Sequence, residues 1–359
     1  MMAFLRRVDW QLVLPVIILL VISLTTLFSI NPVFFRNQFL FVIVSGVIFF
    51  MLSQVDIRQL GLYRMQIYIT SIVLLFALLF LGAASRGAIR WLGILGFGIQ
   101  FSEILKPFLI LVLASFLAGQ KNISFRACFT VFLFLTPIVF LIYRQPDLGS
   151  ALIYIATVLT TLVLFGFPLW WFGVGLVGIF ACLPFLWHFL HEYQRERLLT
   201  FFHLTNDPLG ISYNAIQAVI AVGSGMFVGK GLGQGSQSVL KFLPEKQTDF
   251  IFATLSEDLG FVGAAIVVIA FLFLLYRLFV IFTLTDDAFS KVVVAASFSL
   301  ILIQFFINIG MNIGILPIVG VPLPFVSYGG SSLVSNAIIL GIVSQIASQA
   351  KRKHVLEIT

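Results

Sequence analysis

The sequence predicts an all-α, polytopic membrane protein: a bundle of about ten transmembrane helices with a long extracytoplasmic loop between the seventh and eighth. Three observations lead there. Of 359 residues, 60% are hydrophobic and 10% are charged, and the mean hydropathy is +1.12. The apolar residues run in segments of about 17 to 25, the length of a spanning helix, rather than in the ten-residue alternation of an outer-membrane barrel. Finally, 21 Lys and Arg with 14 Asp and Glu cannot cover a soluble chain of this size. A soluble enzyme, a disordered tail and a fibrous repeat are thereby excluded.

Taken in order, spans are expected near 11–30, 38–55, 66–83, 103–119, 127–143, 149–166, 168–188, 250–282, 288–312 and 331–350. The first follows Arg6 and Arg7, is too long for a signal-peptide core and lacks a small-residue cleavage site, so it is expected to remain as an anchor. An even count places both termini on one side. Arg6, Arg7, Arg58, Arg64, Lys121, Arg126, Arg277, Lys291, Lys351, Arg352 and Lys353 fall on that side, against Arg36, Arg86, Arg90 and Arg144 opposite; eleven against four makes the termini cytoplasmic. The net charge of +7 is scattered in ones and twos, which fits topology and anionic lipid better than nucleic acid. Cys128 and Cys182 lie inside apolar segments and read as packing residues, so no disulfide framework is expected.

The chain reads as one domain, 1–359, in which residues 190–249 form the large extracytoplasmic loop. That loop holds Tyr193, Phe201, Phe202, Tyr213, Ile216, Met226 and Phe227, enough apolar surface to fold back on the bundle as an ordered cap over an outward cavity. Its glycines at 223, 225, 229, 231, 233 and 235 surround Lys230 but miss the Walker spacing, because the residue after Lys230 is Gly231. Two readings stay open: a flexible turn, or close backbone approach to a phosphate or sugar with Lys230 as counter-charge. His188 and His191 stand three apart beside Glu192 without an HExxH pattern, and read as polar residues ending a span. No nucleophile elbow is present.

Charge at membrane depth is more informative. Glu103 and Lys106 open the fourth span at i, i+3 spacing on one helix face. They are either an intramembrane pair with a function or a helix start at the headgroup level. Where the long loop re-enters the bilayer, LPEKQTDFIFA at 243–253 places Asp249 just before an apolar run. A carboxylate there is partly desolvated and becomes a better proton acceptor, while an N-cap is its competing role. PFVSYGGSS at 324–332 supplies Ser327, Ser331 and Ser332 on irregular backbone, which at this depth must line a cavity or be buried in protein.

Together QPDLGS at 145–150, YQRERL at 193–198, GKG at 229–231, LPEKQTDFIFA at 243–253, EDLG at 257–260 and PFVSYGGSS at 324–332 resemble the SEDS family over essentially the whole chain, and the short termini are similar to those of its elongation branch. Departures are mild: SEILKP at 102–107 lacks the Pro that often precedes this Ser, Thr248 follows Gln247 where His is usual, and Asp258 replaces a common Glu. The resemblance implies a peptidoglycan glycosyltransferase that polymerises lipid II at the outer face of the bacterial inner membrane during cell elongation, with Asp249 in the catalytic position. It also implies a divalent cation, magnesium or manganese, whose ligands the sequence does not assign, a class B penicillin-binding protein as transpeptidase partner, and the membrane proteins of the elongation (Rod) complex. The residues expected to contact substrate are Glu103, Lys106, Arg195, Lys230, Glu245, Ser327, Ser331 and Ser332; the pyrophosphate is expected to be balanced by a subset of Arg90, Arg144, Arg195, Arg197, Lys230 and Lys246. A lipid II flippase or a non-catalytic scaffold for the transpeptidase would suit the same spans and charges.

Overall fold

The computed structural model describes residues 8–358 apart from 86–87, 95–96, 121–122, 191, 202–210 and 240–241, so His191, Phe202 and Lys241 lie outside the described residues. Side-chain caps set several of the helix starts. Asp9 caps α1 (Trp10–Ile30) through the Gln11 amide. Asn31 then ends α1 and caps α2 (Pro32–Leu52), with Pro32 in the first turn where its missing N–H is harmless. The second span therefore begins near 32 rather than 38, since Arg36 and Asn37 lower the local hydropathy without breaking the helix. A 3₁₀ turn (Ile57–Tyr63) leads into α3 (Arg64–Leu81).

The loop after α3 holds a small antiparallel meander, β1 (Ala83–Ser85), β2 (Ala88–Ile94) and β3 (Phe97–Ile99), which hydropathy left unassigned. The fourth span is split: α4 (Phe101–Ile104) and α5 (Lys106–Ala118) meet at Leu105, where Pro107 lacks the N–H that would continue the ladder. Ser124 caps α6 (Phe125–Arg144) and Asp147 caps α7 (Leu148–Leu164), followed by α8 (Leu169–Phe189). Within the long segment lie three helices, α9 (Glu192–Phe201), α10 (Ile211–Ser224) and α11 (Ser236–Val239), with the glycine-rich loop between the last two. Ala218 and Ala221 of α10 pack with Leu243, Phe250 and Ala253 in a small apolar cluster, so this segment does fold back on the bundle. The chain ends with α12 (Ile251–Leu284), α13 (Ala288–Asn312) and α14 (Gly330–Ile358).

Among the described residues eight helices are long and apolar enough to cross a membrane, and two shorter apolar helices, α7 and α8, stand beside them. The polytopic helical reading is thus what the chain adopts. One contiguous apolar core runs through it, with Leu12, Leu75, Ile142, Leu162, Phe271 and Ile301 among its fully buried members.

Helix α12 is 34 residues long, about 51 Å at 1.5 Å per residue, against a hydrocarbon core of about 30 Å. It solves the mismatch by breaking at Gly260 (φ 67°, ψ −162°), a conformation that disfavours any side chain. Residues 261–284, about 36 Å, remain as the span. Backbone groups released at the break need partners in a water-poor setting, and the glycine-rich loop provides them. Lys230 N donates to Glu257 O and Gly231 N to Asp258 O (both 3.0 Å), while Phe261 N donates to Met226 O (2.9 Å). The approach is so close that a Cβ on Gly225 would lie 1.9 Å from Ser256 O and one on Gly229 2.2 Å from Asp258 O. These glycines therefore press against the protein's own broken helix.

At the opposite end of α1, Asp9 is buried against Arg277 of α12 (2.5 Å) and Lys351 of α14 (3.0 Å), and its amide donates to Ser344 Oγ. The start of α1 and Lys351 of α14 thus meet at the same end of the bundle.

A polar site around Asp249

Asp249 lies in the turn that carries the chain from the long segment into α12, half-buried. The cap position of α12 is Phe250, without a side-chain cap. Its first-turn amide at Ala253 is instead taken by Asn312 Oδ1 of α13 at 3.1 Å. Asn308 and Asn312 Nδ2 both donate to the Asp249 carbonyl, at 3.1 and 3.0 Å. Opposite the carboxylate stands Gly320 (φ 74°), where a Cβ would lie 3.3 Å from Asp249 Oδ2.

The hydroxyl-rich segment before α14 locks this turn in place. Ser327 Oγ donates to Thr248 O (2.7 Å) and accepts from Leu323 N (2.8 Å), and Tyr328 N donates to Gln247 O (2.9 Å). Gln38 of α2 holds the same segment by donating to Ser327 O and accepting from Gly329 N. Glu245 sits in the turn with φ 54° and accepts from Thr248 Oγ1 at 3.1 Å. Ser331 Oγ accepts from Gln100 N (3.0 Å), and Ser332 accepts from Asn336 Nδ2. The three serines are buried.

From Gln100 the network continues into the membrane. Its side chain donates to Asp147 Oδ2 (2.9 Å), which also accepts from Ser150 Oγ (2.8 Å) and Ser102 Oγ (3.3 Å). Gly149 abuts Val319, where a Cβ would be 2.6 Å from its carbonyl, so the Asp147 hub packs directly on the wall that faces Asp249. Beside Ser102, Glu103 and Lys106 form an ion pair of 2.5 Å across the kink between α4 and α5. Both residues are 3% exposed, and Glu103 Oε2 has no hydrogen-bond partner among the described residues. This is a buried pair, not a solvated helix start. Lys106 also lines an apolar cavity of about 70 Å³ with Leu109, Leu113, Phe134, Leu135 and Leu300.

Two expected contacts are engaged elsewhere. Arg195 donates to Trp187 O and His188 O at the C-terminal end of α8, matching a cation to the last carbonyls of a helix. Lys230 pairs with Glu257 at 2.9 Å and donates to Ser224 and Ser236. Arg197 reaches the site wall instead, donating to Ile318 O at 3.2 Å. Arg144 lies in the last turn of α6, and the Arg90 side chain is outside what is described. The structure therefore brings Asp249, Glu245 and Ser327 together and joins Ser331 to the Glu103–Lys106 region through Gln100. Sequence reasoning passed over Asn308, Asn312, Gln38 and Gly320. The signal for the asparagines was available: two amides at i, i+4 inside an apolar span lie on one face and require partners there.

Comparisons with known proteins cover nearly the whole chain. The FtsW/RodA/SpoVE family model, described as cell cycle protein, matches residues 2–352. Peptidoglycan glycosyltransferase MrdB of Escherichia coli K12 is 40% identical over 311 residues, 85% of this chain and 83% of its own. Stage V sporulation protein E of Bacillus subtilis is 34% identical over 360 residues, 96% of this chain and 98% of its own. A solved structure described as "Structural coordination of polymerization and crosslinking by a peptidoglycan synthase complex" superposes with a TM-score of 0.82 at 27% identity, covering 96% and 98%. The crystal structure of Thermus thermophilus rod shape determining protein RodA gives 0.72 at 25% identity, covering 95% and 96%.

Proposed function

The chain belongs to the FtsW/RodA/SpoVE family, and we propose that it is a peptidoglycan glycosyltransferase that polymerises lipid II into glycan strands during cell elongation. The observation that carries this reading is the extent of likeness to MrdB, a named peptidoglycan glycosyltransferase that this chain matches over 85% of its own length. The geometry supports it with a half-buried carboxylate, Asp249, in a polar, backbone-rich turn where the long segment enters α12.

In the proposed reaction the 4-hydroxyl of one sugar attacks the anomeric carbon of another. The new C–O bond forms as the bond to pyrophosphate breaks, and Asp249 accepts the hydroxyl proton in the transition state. The pyrophosphate leaves as an anion, so a second acid is not required. Cations balance it; of the expected set Arg197, bonded to the Ile318 carbonyl, reaches the site wall and Lys246, Arg144 and Arg90 stay candidates, whereas Arg195 and Lys230 are held by the α8 carbonyls and Glu257. Among the described residues no three His, Cys, Asp or Glu side chains converge as metal ligands. A magnesium or manganese ion would accompany the substrate pyrophosphate, and the proposed chemistry rests on the chain's own residues.

The likeness to a synthase complex supports a penicillin-binding protein as partner. The chain is a multi-pass membrane protein, and the cation bias together with the meeting of Asp9 and Lys351 supports an arrangement with both termini cytoplasmic and residues 190–249 outside. A cysteine placed at Gln237 should then react with an impermeant thiol reagent from outside; modification from the cytoplasm alone refutes that topology. A lipid II flippase is the second reading, favoured by the broken helix α12, since transporters use discontinuous helices at their substrate sites. Purified protein in liposomes separates the readings. Glycan chains made from external lipid II support the enzyme, translocation without polymer identifies a flippase, and neither leaves a scaffold.

A further inference from the structure

We infer that Asn308 and Asn312 are positioning residues that hold Asp249 against the opposite wall of the site, and that Asn312 caps the first turn of α12 from the neighbouring helix. The inference deepens the proposed reading and rests on Asp249 as the base.

The hydrogen bonds fix both amides without ambiguity. Asn308 Nδ2 has two N–H groups and two carbonyls to serve, Asp249 O at 3.1 Å and Val321 O at 2.7 Å. Asn312 Oδ1 accepts from Ala253 N, so its nitrogen must face the Asp249 carbonyl at 3.0 Å and the Asn308 carbonyl at 2.8 Å. Both residues are fully buried on one face of α13. An acid in either place would offer no donors, and an aliphatic side chain would strand carbonyls in a desolvated setting.

Two consequences follow for the carboxylate. A neighbouring helix supplies an acceptor for the Ala253 amide, and the cap position itself is Phe250. Asn308 also ties both sides of the site to one rigid helix, because Val321 adjoins Gly320, whose α-carbon faces Asp249 Oδ2. The spacing between Asp249 and the Gly320 wall is thus set by one amide. Misplacement of a reacting group by about 1 Å can cost on the order of a hundredfold in rate.

The test uses the full-length protein reconstituted with its transpeptidase partner and lipid II. Asn308→Ala should lower kcat about 10- to 100-fold with KM changed less than about threefold, and should move the acid limb of the kcat–pH profile. The Asn308→Ala, Asn312→Ala double variant should fall toward the level of Asp249→Asn. A loss of rate that merely tracks loss of folded protein, with an unmoved acid limb, overturns the inference. Should Asn308→Ala not fold, Asn312→Ala, which leaves both Asn308 bonds in place, is read by the same two criteria. The two levels fail separately. If Asp249→Asn is inactive while both asparagine variants match wild type, positioning is wrong and the base stands; if Asp249→Asn is active, the base assignment itself is wrong.

Discussion

Lys106 and Glu103 illustrate how a single residue's setting decides its meaning. With both side chains buried at 2.5 Å, each charge is tolerated because of the other. Removing one partner of such a pair costs about 3–5 kcal/mol because an uncompensated charge remains. We expect Lys106→Met and Glu103→Gln each to lower polymerisation and the melting temperature in detergent, and the double variant to lose less than the sum of the two. Wild-type behaviour of both single variants would reduce the pair to a tolerated ornament of the helix start. These two residues were legible in sequence because charge at membrane depth is conspicuous. Asn308 and Asn312 were passed over although their i, i+4 spacing in an apolar span was visible, because they carry no charge and their partners lie on other elements. Arg195 and Lys230 were legible as cations, yet their partners, the α8 carbonyls and Glu257, depend on tertiary placement that no local pattern records.

At the scale of elements, the break in α12 and the glycine-rich loop are one device. Gly260 opens the helix, and the loop satisfies the released backbone at distances that exclude any Cβ. Gly229→Ala should therefore destabilise the protein by about 1–3 kcal/mol or more through forced overpacking, added to strain at φ 88°. Gly173 in α8 has nothing within 4 Å of its added Cβ, so Gly173→Ala should leave the melting temperature unchanged or raise it. Equal effects of the two substitutions would show that the loop does not brace the helix. The glycine cluster was visible in the sequence, and close backbone approach was one of its two readings. What it approaches was hidden, because 250–282 is uniformly apolar and reads as a single span. The split of the fourth span at Leu105 was hidden for the same reason, whereas the caps at Asp9, Asn31, Ser124 and Asp147 stand in the sequence at the helix starts they make.

For the whole molecule, the ten apolar helices follow almost directly from hydropathy, since lipid requires every spanning backbone to satisfy itself. The bundle is closed at one end by Asp9, which joins α1 to α12 and α14. Burial alone would raise the Asp9 pKa, but hydrogen bonds from Arg277 and Lys351 outweigh it and hold the carboxyl below its ordinary 3.8. A depressed folded pKa contributes stability that is complete above 3.8 and lost as pH falls through the lower folded value. Asp9→Asn should accordingly lower the melting temperature near neutral pH and reduce its further fall on acidification below about pH 4; parallel wild-type and variant curves would contradict the latch. The account as a whole turns on Asp249 as the proton acceptor in a lipid II polymerase. Asparagine keeps its size and its capacity to hydrogen-bond but cannot take a proton, and loss of a general base typically lowers rate about a hundredfold to ten-thousandfold. The most direct measurement is glycan synthesis from external lipid II by purified wild-type and Asp249→Asn proteins in liposomes. The account predicts polymer from the first and none from a folded, partner-binding second, whereas substantial polymer from Asp249→Asn, or lipid II translocation without polymer from the wild type, would contradict it.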